Sequence, residues 1–277
     1  DGKFAAFMLN EEADKLISLK SDINALFNSP VLGYNSKDDI VYQFWANRDS
    51  HEVYYFDPKT DYAPTTAISS ISWDDPNFPN IEGFGVWAAK CNFTMGPDGK
   101  MYSRMLGGNL VRIDVENARG ENLTNGDLVG TKDGSAYGLV FDPQDENVFY
   151  FSNNDKHCIY KYDLRTKECA CWAGQEGKSG YLDGPIGQAM FNKPGQMCVD
   201  SEGNIILTDT ENHCIRKITM STGYVSTLAG KPQNSGYVNG SAEDAQFKKP
   251  LGICIDNDDV MYIGDSENRA IRRLAVE

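Results

Sequence analysis

The chain has 277 residues, with 26 Lys and Arg against 40 Asp and Glu, a net charge of −14 and three histidines. The acidity is spread along the chain, which disfavours nucleic acid or an anionic membrane surface as a partner and reads as a solubilising surface. No run approaches the ~18 apolar residues of a membrane span, no signal peptide stands at the start, and the opening Asp1 reads as a trimmed or processed start.

Residues 1–30 support two readings. Asn10-Glu-Glu-Ala-Asp14 would cap a helix with Leu16, Ile17, Ile23 and Phe27 on its apolar face. Alternatively Leu16–Leu19 is a strand, either of a degenerate unit or one that closes a ring against the last unit. From residue 31 the apolar pattern has period two. Strands are predicted at Val31–Tyr34, Ile40–Phe44 and Val53–Phe56, then at Phe93–Met95, Lys100–Tyr102 and Leu110–Ile113. Four more follow at Leu139–Asp142, Val148–Phe151, Cys158–Tyr162 and Cys169–Trp172.

The next four are Met197–Asp200, Asn204–Thr208, Cys214–Ile218 and Val225–Ala229, separated by a turn at Ser201–Gly203, a polar loop at Asp209–His213 and a turn at Ser221–Gly223. This unit then recurs 56 residues on without a gap. Residues 174–218 and 230–274 share sixteen identities in forty-five positions. Ala189-Met-Phe191-Asn-Lys-Pro194 returns as Ala245-Gln-Phe247-Lys-Lys-Pro250, and Asp209-Thr-Glu-Asn212 as Asp265-Ser-Glu-Asn268. A fixed period of this kind means one supersecondary unit used repeatedly.

Four short antiparallel strands per unit make a propeller blade. The chain is therefore expected to be a single all-β propeller domain, 1–277. Its clear blades lie at about 31–70, 84–125, 137–174, 191–230 and 247–277, with 1–30 an irregular or ring-closing segment. A sixth blade built with residues 1–30 gives six in all; without it there are five. The last blade ends at its third strand, Ala270–Val276, so its fourth must come from elsewhere.

Seven cysteines (91, 158, 169, 171, 198, 214 and 254) make an odd count. Cys198 and Cys254 share one repeat position, and Cys158 and Cys214 another. They read as small core hydrophobes and not as a disulfide framework. Cys169-Ala-Cys171 falls short of the four ligands of a structural zinc and reads as packing. No phosphate loop, nucleophile elbow, zincin helix or calcium loop is present.

The pattern Phe-x-x-Pro, Asp-x-x-Gly-Asn, Asp-x-x-Asn-His-x-Ile-Arg and Thr-Leu-Ala-Gly (Phe191 to Gly230) resembles the NHL repeat, most closely over 174–277. The Gly180–Phe191 linker resembles that of NHL propellers from gut Bacteroidetes, which often follow an IPT/TIG domain. Asp1-Gly2 with Ala5-Ala-Phe7 echoes this linker in shortened form. The resemblance implies a β-propeller, an upstream IPT/TIG domain and a periplasmic, cell-surface or extracellular location. Some NHL-type propellers, such as the amidating lyase, bind metal through histidines, so a zinc site at His157 and His213 is conceivable. The histidine of this position, however, commonly braces its loop by hydrogen bonding.

Asp209, Asp265, Arg216 and Arg272 recur with the repeat, whereas catalysis needs a unique constellation. An Asp accepting loop backbone N–H groups fits better. Where the repeat breaks, its polar loop is replaced by Trp45-Ala-Asn-Arg48-Asp-Ser-His51 and by Ser103-Arg104-Met105-Leu-Gly-Gly108; Trp73, Phe84 and Trp87 lie between. In a propeller the loops after the second and fourth strands share one rim. Aromatic groups beside arginine suit a sugar or carboxylate there. Trp45, Arg48, His51, Trp87 and Arg104 are the candidate ligand-binding residues.

Two functions follow. The first is a non-enzymatic propeller of a bacterial cell envelope binding a glycan, peptide or protein at that rim, with no cofactor and no membrane insertion. The second is a metal-dependent hydrolase or lyase of the six-bladed kind, holding calcium or zinc with unique inward polar groups. The innermost strands start at Asn92-Phe93, Tyr137-Gly138, Pro194-Gly195 and Pro250-Leu251, mostly apolar or small, which favours binding.

Overall fold

The structure, a computed structural model, describes residues 94–104, 109–124 and 137–275 with their side chains and, before residue 94, the backbone of seven strands. The chain divides into two compact units, Asp1–Leu123 and Thr124–Glu277.

In the first unit, β1 (Phe7–Leu9) and β2 (Leu16–Ser18) form an antiparallel ribbon with Met8 opposite Ile17. Residues 16–18 are thus a strand and not part of a helix: cross-strand bonding to β1 satisfies their backbone, and a β-branched Ile17 suits it. The proposed cap at 10–14 and Ile23 lie outside the described residues, and Phe27 opens a strand, β3, instead of closing a helical face. Next, β3 (Phe27–Asn35), β4 (Ile40–Asn47), β5 (Val53–Phe56) and β6 (Pro64–Ile68) form a four-stranded antiparallel sheet in chain order. Then β7 (Ser72–Trp73) precedes β8 (Thr94–Met95), β9 (Met101–Arg104), β10 (Leu110–Asp114) and β11 (Arg119–Asn122). The last four are an antiparallel meander, and β7 adds parallel to β11 at its outer edge.

The second unit opens with β12 (Leu139–Asp142), β13 (Asp145–Asn153), β14 (Cys158–Asp163) and β15 (Glu168–Gly174), again a meander. A two-residue strand, β16 (Gly184–Pro185), comes next and pairs with the outer edge of the following sheet. That sheet is β17 (Pro194–Val199), β18 (Ile205–Asp209), β19 (Cys214–Thr219) and β20 (Tyr224–Ala229). Last come β21 (Pro250–Ile255), β22 (Met261–Asp265) and β23 (Ala270–Leu274), three strands among the described residues. Every strand read from the period-two pattern is present, and each meander is the blade of a β-propeller.

Blades in the second unit stack face to face. Val140, Tyr150 and Ile159 of one pack with Met197, Leu207 and Ile218 of the next, and Phe191 of the linker is buried among them. One step on, Ile206 and Ile215 pack with Ile253 and Ile263 around Phe247. A strand covered on both faces needs no polar alternation, which is why β18 reads Ile-Ile-Leu and is buried throughout. Burying each linker phenylalanine contributes about 1.5–3 kcal/mol.

Candidate functional site

The recurring polar groups of the repeat form a latch, present twice. Asp209, fully buried, accepts the N–H of Asn192 (2.8 Å), the Asn212 Nδ2 amide (2.9 Å) and Arg216 Nη1 (2.7 Å). Arg216, also fully buried, donates on to the carbonyls of Met190 (3.2 Å) and Leu182 (3.0 Å) and to the Asp183 carboxylate (2.6 Å). Its guanidinium lies between the rings of Tyr181 (4.9 Å) and Phe191 (5.2 Å). In the next blade Asp265 accepts the Lys248 N–H, Asn268 and Arg272. Arg272 in turn reaches the Gln246 and Val238 carbonyls and Asn239, between the rings of Tyr237 and Phe247.

Arginine is required at this position because its planar fork serves four acceptors and stacks on aromatic faces at once. Burial pushes the Asp209 carboxyl up to about 6, with Arg216, Asn212 and the Asn192 amide pulling against it. Burial alone would lower Arg216; the charges of Asp209 and Asp183, the Cys214 thiol and the hydrogen bond to Asp209 together outweigh that and hold it above its ordinary value. Both groups are therefore charged at neutral pH. The latch fastens each linker to its blade and presents neither group to a substrate. The structural reading of Asp209 and Asp265 holds.

The two described histidines brace neighbouring blades. His157 Nδ1 accepts the N–H of Lys193 at 3.1 Å, and His213 Nδ1 accepts that of Lys249 at 3.1 Å. His157, Lys193, His213 and Lys249 all have φ between 49° and 59°. In the last blade Arg269 takes the same left-handed position (φ 53°) and ends the Ser266–Asn268 turn. The six described cysteines are free thiols. Among the described residues no three His, Cys, Asp or Glu side chains gather into a metal-sized cluster.

The five candidate ligand-binding residues fall differently. Trp45 is in β4, opposite Pro30 and Tyr54 in the backbone register. Arg48, His51 and Trp87 lie outside the described residues. Arg104 ends β9 opposite Leu110 and is 0% exposed, with no face open to solvent. The structure does not bring these five together among the described residues.

It does show a cavity of about 400 Å³ in the β8–β11 sheet, lined by Lys100, Arg112, Asp114, Asn117, Arg119, Gly120 and Glu121. Arg112 and Asp114 alternate along β10, and Arg119 and Glu121 along β11, so the four share one face, with Lys100 just before β9 and Asn117 in the β10–β11 turn beside them. Arg112 is opposite Tyr102 and Glu121, and Asp114 is opposite Arg119. The cavity sits by the 96–100 and 115–118 turns, at the end of the sheet away from the 105–108 loop. Arg112 is bonded to Glu121 and lies 3.6 Å from Asp98, and Lys100 lies 3.6 Å from Asp114. Sequence reasoning missed this group, although the signal was there: like-spaced charges at Arg112/Asp114 and Arg119/Glu121 on strands joined by a four-residue turn.

Residues 191–218 match the model of the NHL repeat. The chain is 25% identical over 271 residues to Protein SUPPRESSOR OF QUENCHING 1, chloroplastic, of Arabidopsis thaliana, covering 91% of this chain and 25% of that protein. It is 30% identical over 152 residues to NHL repeat-containing protein 2 of Gallus gallus, covering 54% and 19%. The chain thus spans a quarter or less of these relatives.

Among solved structures it resembles an auxiliary nutrient binding protein from Bacteroides thetaiotaomicron VPI-5482, with a TM-score of 0.75, 21% identity, and coverage of 99% of this chain and 64% of that one. It also resembles virginiamycin B lyase from Staphylococcus aureus, with a TM-score of 0.51, 13% identity, and coverage of 90% and 70%. Repeat and fold together define an all-β propeller of four-stranded antiparallel blades carrying NHL repeat sequence.

Proposed function

We propose that the chain is a non-enzymatic binding propeller of a bacterial cell envelope, six-bladed, taking a glycan, peptide or protein ligand without a bound metal. One observation carries this reading. The groups that could have been read as acid, base or metal ligand in the repeat (Asp209, Arg216, Asp265, Arg272, His157 and His213) are each committed to holding linkers and blades together. Recognition then falls to the part of the chain where the repeat is broken. Trp45, Arg48, His51 and Trp87 are the proposed contacts at that rim. Arg104, sealed inside its sheet, is not among them.

The likeness to a nutrient binding protein supports binding, and the likeness to a lyase keeps the enzyme reading as the alternative. The test is a glycan and peptide array with the wild-type chain and Trp45→Ala, together with elemental analysis after exhaustive dialysis. Saturable binding weakened by Trp45→Ala, with no stoichiometric metal, is the expected result. A stoichiometric content of calcium or zinc overturns the metal-free reading in favour of a hydrolase or lyase.

A further inference from the structure

The β8–β11 cavity differs from the same place in the other described blades. The cation at Arg112 is general: Lys161 and Lys217 occupy its register in the next two sheets, opposite Tyr150 and Ile206. What faces it on the fourth strand is not. Lys161 is opposite Ala170 and Lys217 opposite Ser226, whereas Arg112 is opposite Glu121. Two residues along, Asp163 is opposite Glu168 and Thr219 opposite Tyr224, whereas Asp114 is opposite Arg119. Only this sheet, among those with described side chains, has a fourth strand presenting a cation and a carboxylate on one face of a cavity.

Charge decides the ligand class. In a chain of net charge −14, the lining has three cations (Lys100, Arg112 and Arg119) and two carboxylates (Asp114 and Glu121), and Asp98 stands 3.6 Å from Arg112 as a third. Lys100 is taken by Asp114, and Arg112 by Glu121 and Asp98. Arg119 is exposed and makes no ion pair among the described residues. Its guanidinium fork, unpaired among the described residues, fits a carboxylate in bidentate fashion. A phosphate dianion would bring two negative charges to the one cation not already paired, and would meet Asp114 and Glu121 across the cavity. The remaining rim offers Asn117 and carboxylate oxygens, which are acceptors for hydroxyl groups. The volume, about 400 Å³, is near the lower end of small-molecule sites.

We infer that this cavity binds a monoanionic carboxylated sugar, with Arg119 on the carboxylate and Asp114, Asn117 and Glu121 on the hydroxyls. The inference goes beyond the binding reading above, because this cavity lies at the other end of the β8–β11 sheet from Arg104 and shares no residue with the proposed rim. The probes are methyl glucuronide, methyl glucoside and glucose 6-phosphate, measured by titration calorimetry and ligand-observed NMR on the wild-type chain and Arg119→Gln. Arg119 is exposed, so the variant should melt with the wild type.

The glucuronide is expected to bind saturably, at least about tenfold tighter than the glucoside, with that margin lost in Arg119→Gln. Equal binding of glucuronide and glucoside, preference for the phosphate, or an unchanged Arg119→Gln overturns the inference. If array ligands still bind in any of those cases, the binding reading survives without it; if nothing binds, both fall.

Discussion

His157 accepts the backbone N–H of Lys193 through Nδ1 at 3.1 Å, across the boundary between two blades, and it does so from a left-handed backbone conformation. An imidazole that accepts through Nδ1 must be neutral at that nitrogen. Burial lowers the His157 pKa below its ordinary 6.5; Lys193 lowers it further and Asp155 opposes them.

The unfolded imidazole binds its proton near 6.5 and the folded one only at lower pH. The folded state therefore holds fewer protons in that window, and its stability there rises with pH. The contribution is complete above about 6.5 and is lost as pH falls from there through the folded value. Thermal unfolding followed from pH 8 down to pH 5 should show the melting temperature dropping below this point. His157→Asn keeps a residue that tolerates positive φ but removes the titration. It should flatten part of that drop, and an unchanged pH profile in this variant would refute the brace as its cause.

Arg216 is costly to truncate. Removing one partner of a fully buried ion pair leaves the other charge unpaired, at about 3–5 kcal/mol, and here Asp209 is that partner, 0% exposed. Arg216→Ala also frees two carbonyls and unstacks Tyr181 and Phe191. Urea unfolding should show a loss of that order. Arg216→Lys should recover only part of it, because an ammonium cannot serve Asp209, Asp183 and two carbonyls from one plane. Arg272→Ala should cost less, since Arg272 retains 8% exposure and its aromatic partner Tyr237 is 59% exposed. Equal costs for the two alanine variants would show that burial does not set the strength of the latch.

Much of this is legible in the repeat itself. The Asp-Asn-Arg spacing and the strand pattern are local, and each copy confirms the other, so the strands and the structural role of Asp209 and Asp265 could be read directly. What could not be read is which residue each group meets across the linker. Arg216 reaches Leu182 and Asp183, more than thirty residues away, and nothing in the spacing of the Ile215-Arg216 pair announces it. The cavity was missed for a different reason. Aromatic residues point to one rim, whereas the charges at Arg112, Asp114, Arg119 and Glu121 come together only through the register of β10 against β11. Burial likewise could not be foreseen for Arg104, whose sequence neighbours mark a loop.

Gly195 marks how closely the innermost strands approach. A Cβ there would lie 2.4 Å from Thr208 Oγ1 and 2.9 Å from the Leu251 carbonyl of the next blade, and one at Gly138 would lie 2.6 Å from the Met197 nitrogen. The position 56 residues after Gly195 is Leu251 itself. Glycine is therefore demanded by the neighbouring strand and not by the repeat, and no positive φ is involved. Gly195→Ala should cost about 1–3 kcal/mol, the range for overpacking a close contact. Thr208 cannot simply turn away, because its hydroxyl donates to the Leu251 carbonyl at 2.9 Å. Thr208→Ala in the Gly195→Ala background removes the nearer obstacle and leaves the carbonyl, so the double variant should be less destabilised than the sum of the two singles. Additive losses in urea unfolding would mean that the two strands already separate enough to admit the methyl group, and that the glycine is not held there by this approach.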